Sequence, residues 1–379
     1  MKLVKTITMT AAVLGAAVTG NAQTVIDITG STAGRSAVQK AIQTVLSNET
    51  FVFNTGKTIT NCDKSLFKGD IGGTPVIVRT SWSGSAAGVR DVAQNNSSVW
   101  FANTAINTVA LNNTAINLNN STANTVQDVA EIAFSDVFQS STIYQTPALV
   151  DDTAGIIPFK FFASADAPLP VVDGTPGLTD ITTLQARFLW GSGYIPLAMF
   201  TGVSADQTTY IYATGRDPES GTRITTMAEI GYGVFGAVQQ YQPTIVSGAV
   251  TSVALWPAGT YIEGNGGYSS GSGVKPALEA NAFVNSNGLI SYLGSSDWSS
   301  VAKELTWNGN SYSAANVIEG KYTFWGYLHQ FRHSSLSGTS LTFYNSLLTA
   351  VRSDTSWLVK TSDMKVARSS DGGLVNPLY

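Results

Sequence analysis

Residues 215–223 contain the side-chain types that can bind a small oxyanion. Their sequence is GRDPESGTR, in which Arg216 lies four residues before a Ser-Gly-Thr step. A helix that begins at such a step offers free backbone N–H groups, two hydroxyls and the positive end of the helix dipole. A guanidinium beside that end adds a planar set of donors that suits a tetrahedral oxyanion. Because Ser and Thr also cap ordinary helices, this motif alone leaves both interpretations open.

Two earlier segments have the same arrangement. Residues 30–38 and 83–92 are small-residue turns that continue into helix-like segments, and each turn follows an apolar strand-like run, at 25–28 and 75–79. Open α/β sheets bind anions where a strand leads through a glycine-rich turn into a helix N-terminus. The three turns and Arg216 together predict one small anion site.

Asp136 determines which anion this site would accept. It ends an apolar strand-like run at residues 131–137. A carboxylate repels an anion unless the anion has a proton to donate; phosphate carries one at neutral pH and sulfate does not. A buried acceptor without a donor costs roughly 1–3 kcal/mol, so Asp136 would favour phosphate. The alternative is a helix cap, or a salt bridge to Arg216 with no ligand.

The order of these motifs resembles that in the phosphate-binding proteins of phosphate ABC transporters, which have the type II periplasmic binding-protein fold. The likeness is strong in GST at 30–32, GSAAGVR at 84–90, FSD at 134–136 and RDPESGT at 216–222, and it extends weakly over most of the mature chain. It implies that phosphate donates to Asp136, which also pairs with Arg216. The implied phosphate-binding residues are Thr32, Ser85, Asp136, Arg216, Ser220, Gly221 and Thr222, and we add Ser31 to the predicted site.

Two features depart from the family pattern. Ala33 follows Thr32 where the family often has an aromatic residue that donates its amide, so a contact from Ala33 is left open. The stretch 95–125 is an Asn/Thr-rich insertion that contains two similar segments, 103–107 and 113–117. Its alternating pattern predicts an exposed strand pair or loop. We interpret it as surface decoration, with partner docking as the alternative.

The resemblance implies an α/β protein with two lobes, two hinge crossings and mixed, mainly parallel sheets. The alternation of strand-like and helix-like segments agrees with this class. We expect lobe 1 to comprise residues 23–155 plus 322–379 and lobe 2 to comprise 156–321. Helices are predicted at 224–237 and 340–352, and a flexible loop at 265–273.

The first 22 residues are typical of a secretory signal peptide. Lys2 and Lys5 precede an apolar centre, and small residues end it at Ala22. This predicts export to the periplasm. Cys62 is the only cysteine, so an internal disulfide is impossible and an ordinary hydrophobic core must stabilise the mature protein.

Composition and motifs argue against several function classes. Charged residues make up 12% of the chain and the net charge is −4, so there is no basic footprint for nucleic acid. A serine hydrolase needs a base beside its nucleophile, and the only histidines are His329 and His333. Their spacing of four suits two metal ligands on a helix, but no HExxH motif accompanies them. We therefore expect no enzymatic activity, no metal and no cofactor.

The predicted function is to bind inorganic phosphate between two lobes and deliver it, as a monomer, to an inner-membrane ABC permease. Arsenate and small phosphonates also offer a proton and tetrahedral oxygens, so they remain candidate ligands. A secreted surface or sensing protein that keeps the fold without transport is the first alternative. A phosphoester hydrolase is the second.

Overall fold

The structure is a computed structural model that describes residues 23–105, 124–167 and 177–378, together with a short strand at 114–116. The predicted signal peptide at 1–22 lies outside the described residues, as does much of the Asn/Thr-rich insertion. Eight α-helices lie in the described part of the chain: α1 (Arg35–Val45), α2 (Ser85–Ala93), α3 (Thr183–Ser192), α4 (Ala198–Thr201), α5 (Gly221–Glu229), α6 (Gly271–Leu278), α7 (Ala314–Ile318) and α8 (Gly338–Arg352).

The strands are short except for one that runs through the middle of the fold. They are β1 (Thr24–Gly30), β2 (Ser47–Asn54), β3 (Lys64–Ile71), β4 (Thr74–Ser81), β5 (Ser97–Phe101), β6 (Thr114–Ile116), β7 (Thr125–Val129), β8 (Ile132–Ser135), β9 (Val150–Ala163), β10 (Asp180–Ile181), β11 (Tyr194–Pro196), β12 (Tyr210–Ala213), β13 (Tyr241–Val246), β14 (Ala249–Leu255), β15 (Ala282–Phe283), β16 (Gly288–Gly294), β17 (Lys303–Glu304), β18 (Thr306–Trp307), β19 (Trp325–Arg332), β20 (Val366–Ala367) and β21 (Asn376–Pro377).

One large mixed sheet organises the described residues. Its strand order is β11-β12-β16-β9-β19-β8-β1-β4-β3-β2-β6, and β17 also pairs with β9. The predicted mixed α/β class is confirmed. The expectation of mainly parallel pairing is not met, since most neighbouring pairs of this sheet in the described residues are antiparallel. Parallel pairing is kept where β1 lies between β4 and β8, and where β12 pairs with β16.

Strand β9 joins the two ends of this sheet. Its first part pairs with β19 and its last part pairs with β16, both antiparallel. The residues from Ala154 to Ala163 are all buried, which explains the nearly continuous apolar run in the sequence. Phe161 stacks on Phe324 with ring centroids 4.6 Å apart. The core therefore continues from β9 to the residues just before β19, close to the two points where the chain is predicted to pass between the lobes.

The helices confirm part of the local predictions and correct the rest. α8 ends at Arg352, as predicted for the helix at 340–352. The helix predicted at 224–237 is α5, which instead ends at Glu229. Gly231 and Gly233 follow it with φ of +67° and +100°, which is left-handed backbone that stops a helix. The stretch 265–273 is a loop only up to Ser270, which caps α6.

The described part of the insertion contributes β5 to a strand pair, whose other strand, β7, lies almost entirely after the insertion. β5 pairs antiparallel with β7, while β6, within the second of the two similar segments, pairs parallel with β2. The rest of both segments lies largely outside the described residues.

The segment after α8 contacts both predicted lobes. Asp371 accepts a hydrogen bond from the backbone N–H of Phe138 at 3.0 Å. Arg368 pairs with Glu229 at the end of α5 at 2.9 Å, and Gly372 packs against Ala228. This C-terminal segment therefore bridges lobe 1 and the helix that begins at the predicted anion site.

Asp371→Asn is expected to stabilise the protein at neutral pH. Burial raises the pKa of Asp371 from 3.8 to about 6. Because the pKa of Asp371 is higher in the folded than in the unfolded protein, the free energy of unfolding decreases as pH rises from about 4 to 6. At pH 7 the ionised side chain therefore destabilises the fold. We expect a gain of about 1–2 kcal/mol at pH 7 and none at pH 4 in urea unfolding. Asp363→Asn, at an exposed site of the same segment, should leave the stability unchanged at both pH 4 and pH 7. If Asp371→Asn gained equally at both pH values, burial of its ionised carboxylate would not be the cause.

Candidate functional site

Four connections that leave strands or enter helices meet at one place. β1, β4 and β8 run parallel, so their carboxyl ends lie at the same edge of the sheet. The connections from β1 to α1, from β4 to α2 and after β8 start there. The connection from β12 to α5 approaches from the other predicted lobe, where the backbone N–H of Ala86 donates to the carbonyl of Glu219 at 3.0 Å.

Ser31 and Thr32 begin the first of these connections. Both are buried. The N–H of Ser31 donates to the carbonyl of Phe134 at 2.8 Å, and the hydroxyl of Ser31 accepts from the N–H of Gly34 at 3.1 Å. Gly30, just before them, has φ +116°, and a Cβ there would lie 1.9 Å from the Phe134 carbonyl oxygen. Only glycine allows β1 and β8 to approach this closely at the site.

Asp136 accepts hydroxyl donors from both predicted lobes. Its Oδ1 accepts from the Ser85 hydroxyl in a very short contact, and its Oδ2 accepts from the Thr222 hydroxyl at 3.2 Å. Its backbone N–H donates to the Ser85 hydroxyl at 3.1 Å. The side chain is 1% exposed, and this burial raises its pKa. Asp136 is thus a buried acid whose two oxygens face hydroxyl donors.

Arg216 is held in one orientation by three acceptors. Its Nε donates to the carbonyl of Tyr268 at 3.0 Å and its Nη2 to the carbonyl of Ser269 at 2.7 Å. Its Nη1 donates to the Thr32 hydroxyl, in the other predicted lobe, at 3.1 Å. Burial lowers the pKa of Arg216, but a guanidinium stays protonated in proteins. The site therefore holds a fixed buried cation.

The pairing of Asp136 with Arg216 that the resemblance implied is not present. Arg216 donates hydrogen bonds to two backbone carbonyls and to Thr32. The Asp136 oxygens accept hydrogen bonds from Ser85 and Thr222 instead. The two charges still attract each other at longer range, which works to raise the pKa of Arg216.

The N-terminus of α5 reaches Asp136 because its first residue is glycine. Ser220 caps the helix by accepting from the N–H of Arg223 at 3.3 Å. A Cβ on Gly221 would lie 1.8 Å from Asp136 Oδ1 and 2.4 Å from the Ser85 hydroxyl. The helix end and the carboxylate can meet only without that carbon.

The structure brings all eight predicted residues together, and all eight are buried. It also adds residues that the sequence analysis missed. One is Arg35, which pairs with Asp297 at 3.2 Å, and another is Arg90, which lies 3.8 Å from Glu219. Both arginines lie inside the motifs at 30–38 and 84–90, so their charge was a usable signal. Asp297 had no such signal, and Tyr268 and Ser269 contribute only carbonyls, which no residue type reveals. The placement of Tyr268 and Ser269 shows that the predicted flexible loop orients Arg216.

A pocket of about 230 Å³ also lies where the two predicted lobes meet, a boundary that we call the seam. Glu219 bridges its two sides: Oε1 accepts from the Tyr144 hydroxyl at 2.9 Å, and Oε2 lies 3.8 Å from Arg90 Nη1. Ile143 and Phe235 line it from opposite sides and are largely exposed.

The two histidines and Cys62 lie in other surroundings. His329 is on strand β19, not a helix, and its Nδ1 bonds to Asp151 at 2.7 Å. His333 Nε2 bonds to the carbonyl of Val92 at 2.6 Å. Cys62 is buried and accepts from Gln39 Nε2 at 3.2 Å, and burial raises its pKa to about 12. Thus neither histidine bonds to a site serine in the described residues.

Within the residues that the structure describes, no helix is long and apolar enough to cross a membrane. No protein-family model matches the sequence, and no curated protein matches it.

Solved structures do match. One is a protein assigned as a phosphate ABC transporter substrate-binding protein from Clostridium perfringens, with bound phosphate; it is 14% identical, with a TM-score of 0.51, over 89% of this chain and 99% of the other. An ABC-type phosphate transport receptor from Vibrio cholerae is 13% identical, with a TM-score of 0.46, over 86% and 93% of the two chains. The first match shows the fold: this chain shares the mixed α/β architecture of that solved structure over 89% of its length.

Proposed function

We propose that this protein binds inorganic phosphate between its two lobes and delivers it to an ABC-type permease. The observation that carries the proposal is the setting of Asp136, a single buried acceptor surrounded by Ser85, Thr222 and the start of α5. The solved structure with the matching fold and bound phosphate supports the ligand.

The proposed lobes divide the ligand-binding groups between them. Lobe 1, residues 23–155 plus 322–379, supplies Ser31, Thr32, Ser85 and Asp136. Lobe 2, residues 156–321, supplies Arg216, Ser220, Gly221 and Thr222. Closure would bury the ion under charge-assisted hydrogen bonds, each worth about 1.5–3 kcal/mol. The closed form would then be the one that the permease selects.

The acceptor in this site supplies the selectivity. The hydroxyls, backbone N–H groups and guanidinium can donate to phosphate oxygens, and only Asp136 needs a proton from the ligand. A fully deprotonated anion leaves Asp136 facing like charge at a cost of roughly 1–3 kcal/mol or more. Sulfate is therefore rejected, while arsenate or a small phosphonate satisfies the same groups.

We expect binding without turnover, since no histidine in the described residues is placed to activate a site serine. The Ser85 hydroxyl donates to a carboxylate and Ser220 caps α5, while His329 and His333 bond elsewhere. A nucleophilic serine needs a base that is oriented toward it, and the described residues provide no histidine for either serine. A periplasmic monomer exported by a cleavable signal peptide fits this role.

Calorimetric titration of the mature protein tests the proposal. We expect phosphate to bind with one site per chain, sulfate to give no measurable heat at the same concentrations, and phosphomonoesters to remain unhydrolysed. Phosphonate titrations define how far the ligand range extends. Equal affinity for sulfate, or release of phosphate from an ester, would contradict the proposal.

Asp136→Asn is expected to reduce selectivity more than affinity for phosphate. The amide can donate to sulfate, which removes the repulsion, so the phosphate-to-sulfate affinity ratio should fall by at least about tenfold. Competition titrations measure this ratio. Asp128→Asn, at a half-exposed aspartate that pairs with Arg79 at 2.7 Å, is the control. An unchanged ratio for Asp136→Asn would remove Asp136 from the selectivity mechanism.

A further inference from the structure

A second buried arginine, Arg35, lies three residues after Thr32 of the predicted site. Arg35, at the start of α1, is fully buried, and its Nη2 lies 3.2 Å from Oδ1 of Asp297, whose side chain is 2% exposed. Arg35 belongs to proposed lobe 1 and Asp297 to proposed lobe 2. Its guanidinium also bonds to Asn61 and lies 3.3 Å from Asp63. This ion pair therefore forms where the two lobes meet.

Asp297 connects this pair to Arg216. A Cβ on Gly271, the first residue of α6, would lie 2.4 Å from Asp297 Oδ2, so the carboxylate packs against the beginning of that helix. The carbonyls of Tyr268 and Ser269, just before α6, hold the Arg216 guanidinium. Asp297 also attracts Arg216 directly across the interior.

The charge of Asp297 would oppose anion binding if nothing compensated it. Charges interact strongly in a buried setting because the effective dielectric constant is far below that of water. The Asp297 charge adds to those of Asp217 and Asp136 around Arg216, so it lowers the positive potential that an anion meets. Arg35, whose guanidinium lies against Asp297, compensates this charge more strongly than Arg216, Lys275 or Lys57 does.

We propose that Arg35 is a positioning residue of the anion site, which neutralises Asp297 when the lobes close and so leaves Arg216 free to act on the ligand. This inference rests on the proposed phosphate binding. In this role the Arg35–Asp297 pair sets the charge around Arg216. The alternative, which we call a clasp, is an ion pair that only holds the two lobes together.

Neutral contacts beside the ion pair make the two roles separable. The Ser296 hydroxyl donates to the carbonyl of Ala33 at 2.5 Å and accepts from the N–H of Ser36 at 3.3 Å. These contacts carry no charge and remain when Arg35 or Asp297 is neutralised. The seam can therefore close in the variants, and the charge effect can be measured by itself.

Neutralising each partner tests the proposal through the sign of the effect. Arg35→Gln removes the largest compensation of the Asp297 charge, so phosphate affinity should fall by at least about tenfold. Asp297→Asn removes that charge, so affinity should stay within about threefold or increase. The double variant should recover most of the loss, and calorimetric titration measures all three. If both single variants lose affinity equally, the pair is only a clasp and the proposal fails.

Controls separate this outcome from folding defects and from failure of the proposed function. Arg79→Gln removes a buried arginine that pairs with Asp27 within lobe 1; its melting temperature should fall while its affinity for phosphate stays unchanged. If Arg35→Gln does not fold, Asp297→Asn decides alone, because a tenfold loss there overturns the proposal. If the unmodified protein binds no phosphate, the proposed function itself is wrong.

Discussion

Arg216→Ala should lower phosphate affinity by at least about tenfold, which corresponds to about 1.4 kcal/mol. The guanidinium is 1% exposed and is already oriented by Tyr268, Ser269 and Thr32. An anion therefore meets a cation whose rotamer entropy has been lost beforehand, which favours tight binding. Removal also leaves Asp136 and Asp297 less compensated, so the repulsion adds to the lost attraction. Titration calorimetry measures the change.

Two further variants make this result specific. Arg216→Lys keeps the charge but cannot reproduce three directed bonds from a planar group, so it should recover only part of the affinity. Arg352→Ala removes an arginine at an exposed position that donates to the carbonyl of Thr153, and it should bind phosphate normally. An unchanged dissociation constant for Arg216→Ala would exclude this residue from the site.

Gly221→Ala should abolish most phosphate binding, by about a hundredfold or more, which corresponds to about 2.7 kcal/mol. The added Cβ would lie 1.8 Å from Asp136 Oδ1 and 2.5 Å from Ser85 Cβ, and neither group can move without breaking the contact between lobes. The effect is steric, because the glycine lies in helical backbone and alanine favours a helix by roughly 0.5–1 kcal/mol. Titration should thus show lost binding. Thermal unfolding should show that the ligand-free variant still folds, because the overlap lies at the contact between the lobes and not inside either lobe.

Gly191→Ala is the matched control for this experiment. Gly191 also lies in a helix, α3, and its added Cβ would come no closer than 3.5 Å to Tyr232, an ordinary contact. It should bind phosphate normally. Wild-type affinity in Gly221→Ala would mean that α5 does not need to reach Asp136 for the ligand to bind.

The sequence was informative where the site depends on residue types at fixed spacing. The three small-residue turns, Asp136 and the Arg216 motif predicted residues that the structure places together, because strand, turn and helix are local features that patterns encode. The end of α5 was missed because a helical apolar spacing continued to Val234, although Gly231 and Gly233 offered a usable stop signal.

Contacts that are made through the backbone, or between segments distant in the chain, could not be predicted from the sequence. Tyr268 and Ser269 orient Arg216 through carbonyls, which every residue possesses, so composition indicated only a loop. The pairing of Arg35 with Asp297 joins positions 262 residues apart, and a single sequence cannot show that they meet. The predicted pairing of Asp136 with Arg216 was wrong for a related reason: each side chain forms its hydrogen bonds with other groups, which the sequence does not show.

The state of Cys62 makes this chain well suited to site-directed labelling. Its thiol is buried and its pKa is raised to about 12, so almost no thiolate is available to react with a maleimide at neutral pH. A fluorophore attached through Ile143→Cys or Phe235→Cys, on either side of the seam pocket, would therefore be the only label on the molecule. Energy transfer between the two positions in a doubly labelled protein would report the distance across the cleft in solution without any background from the native thiol.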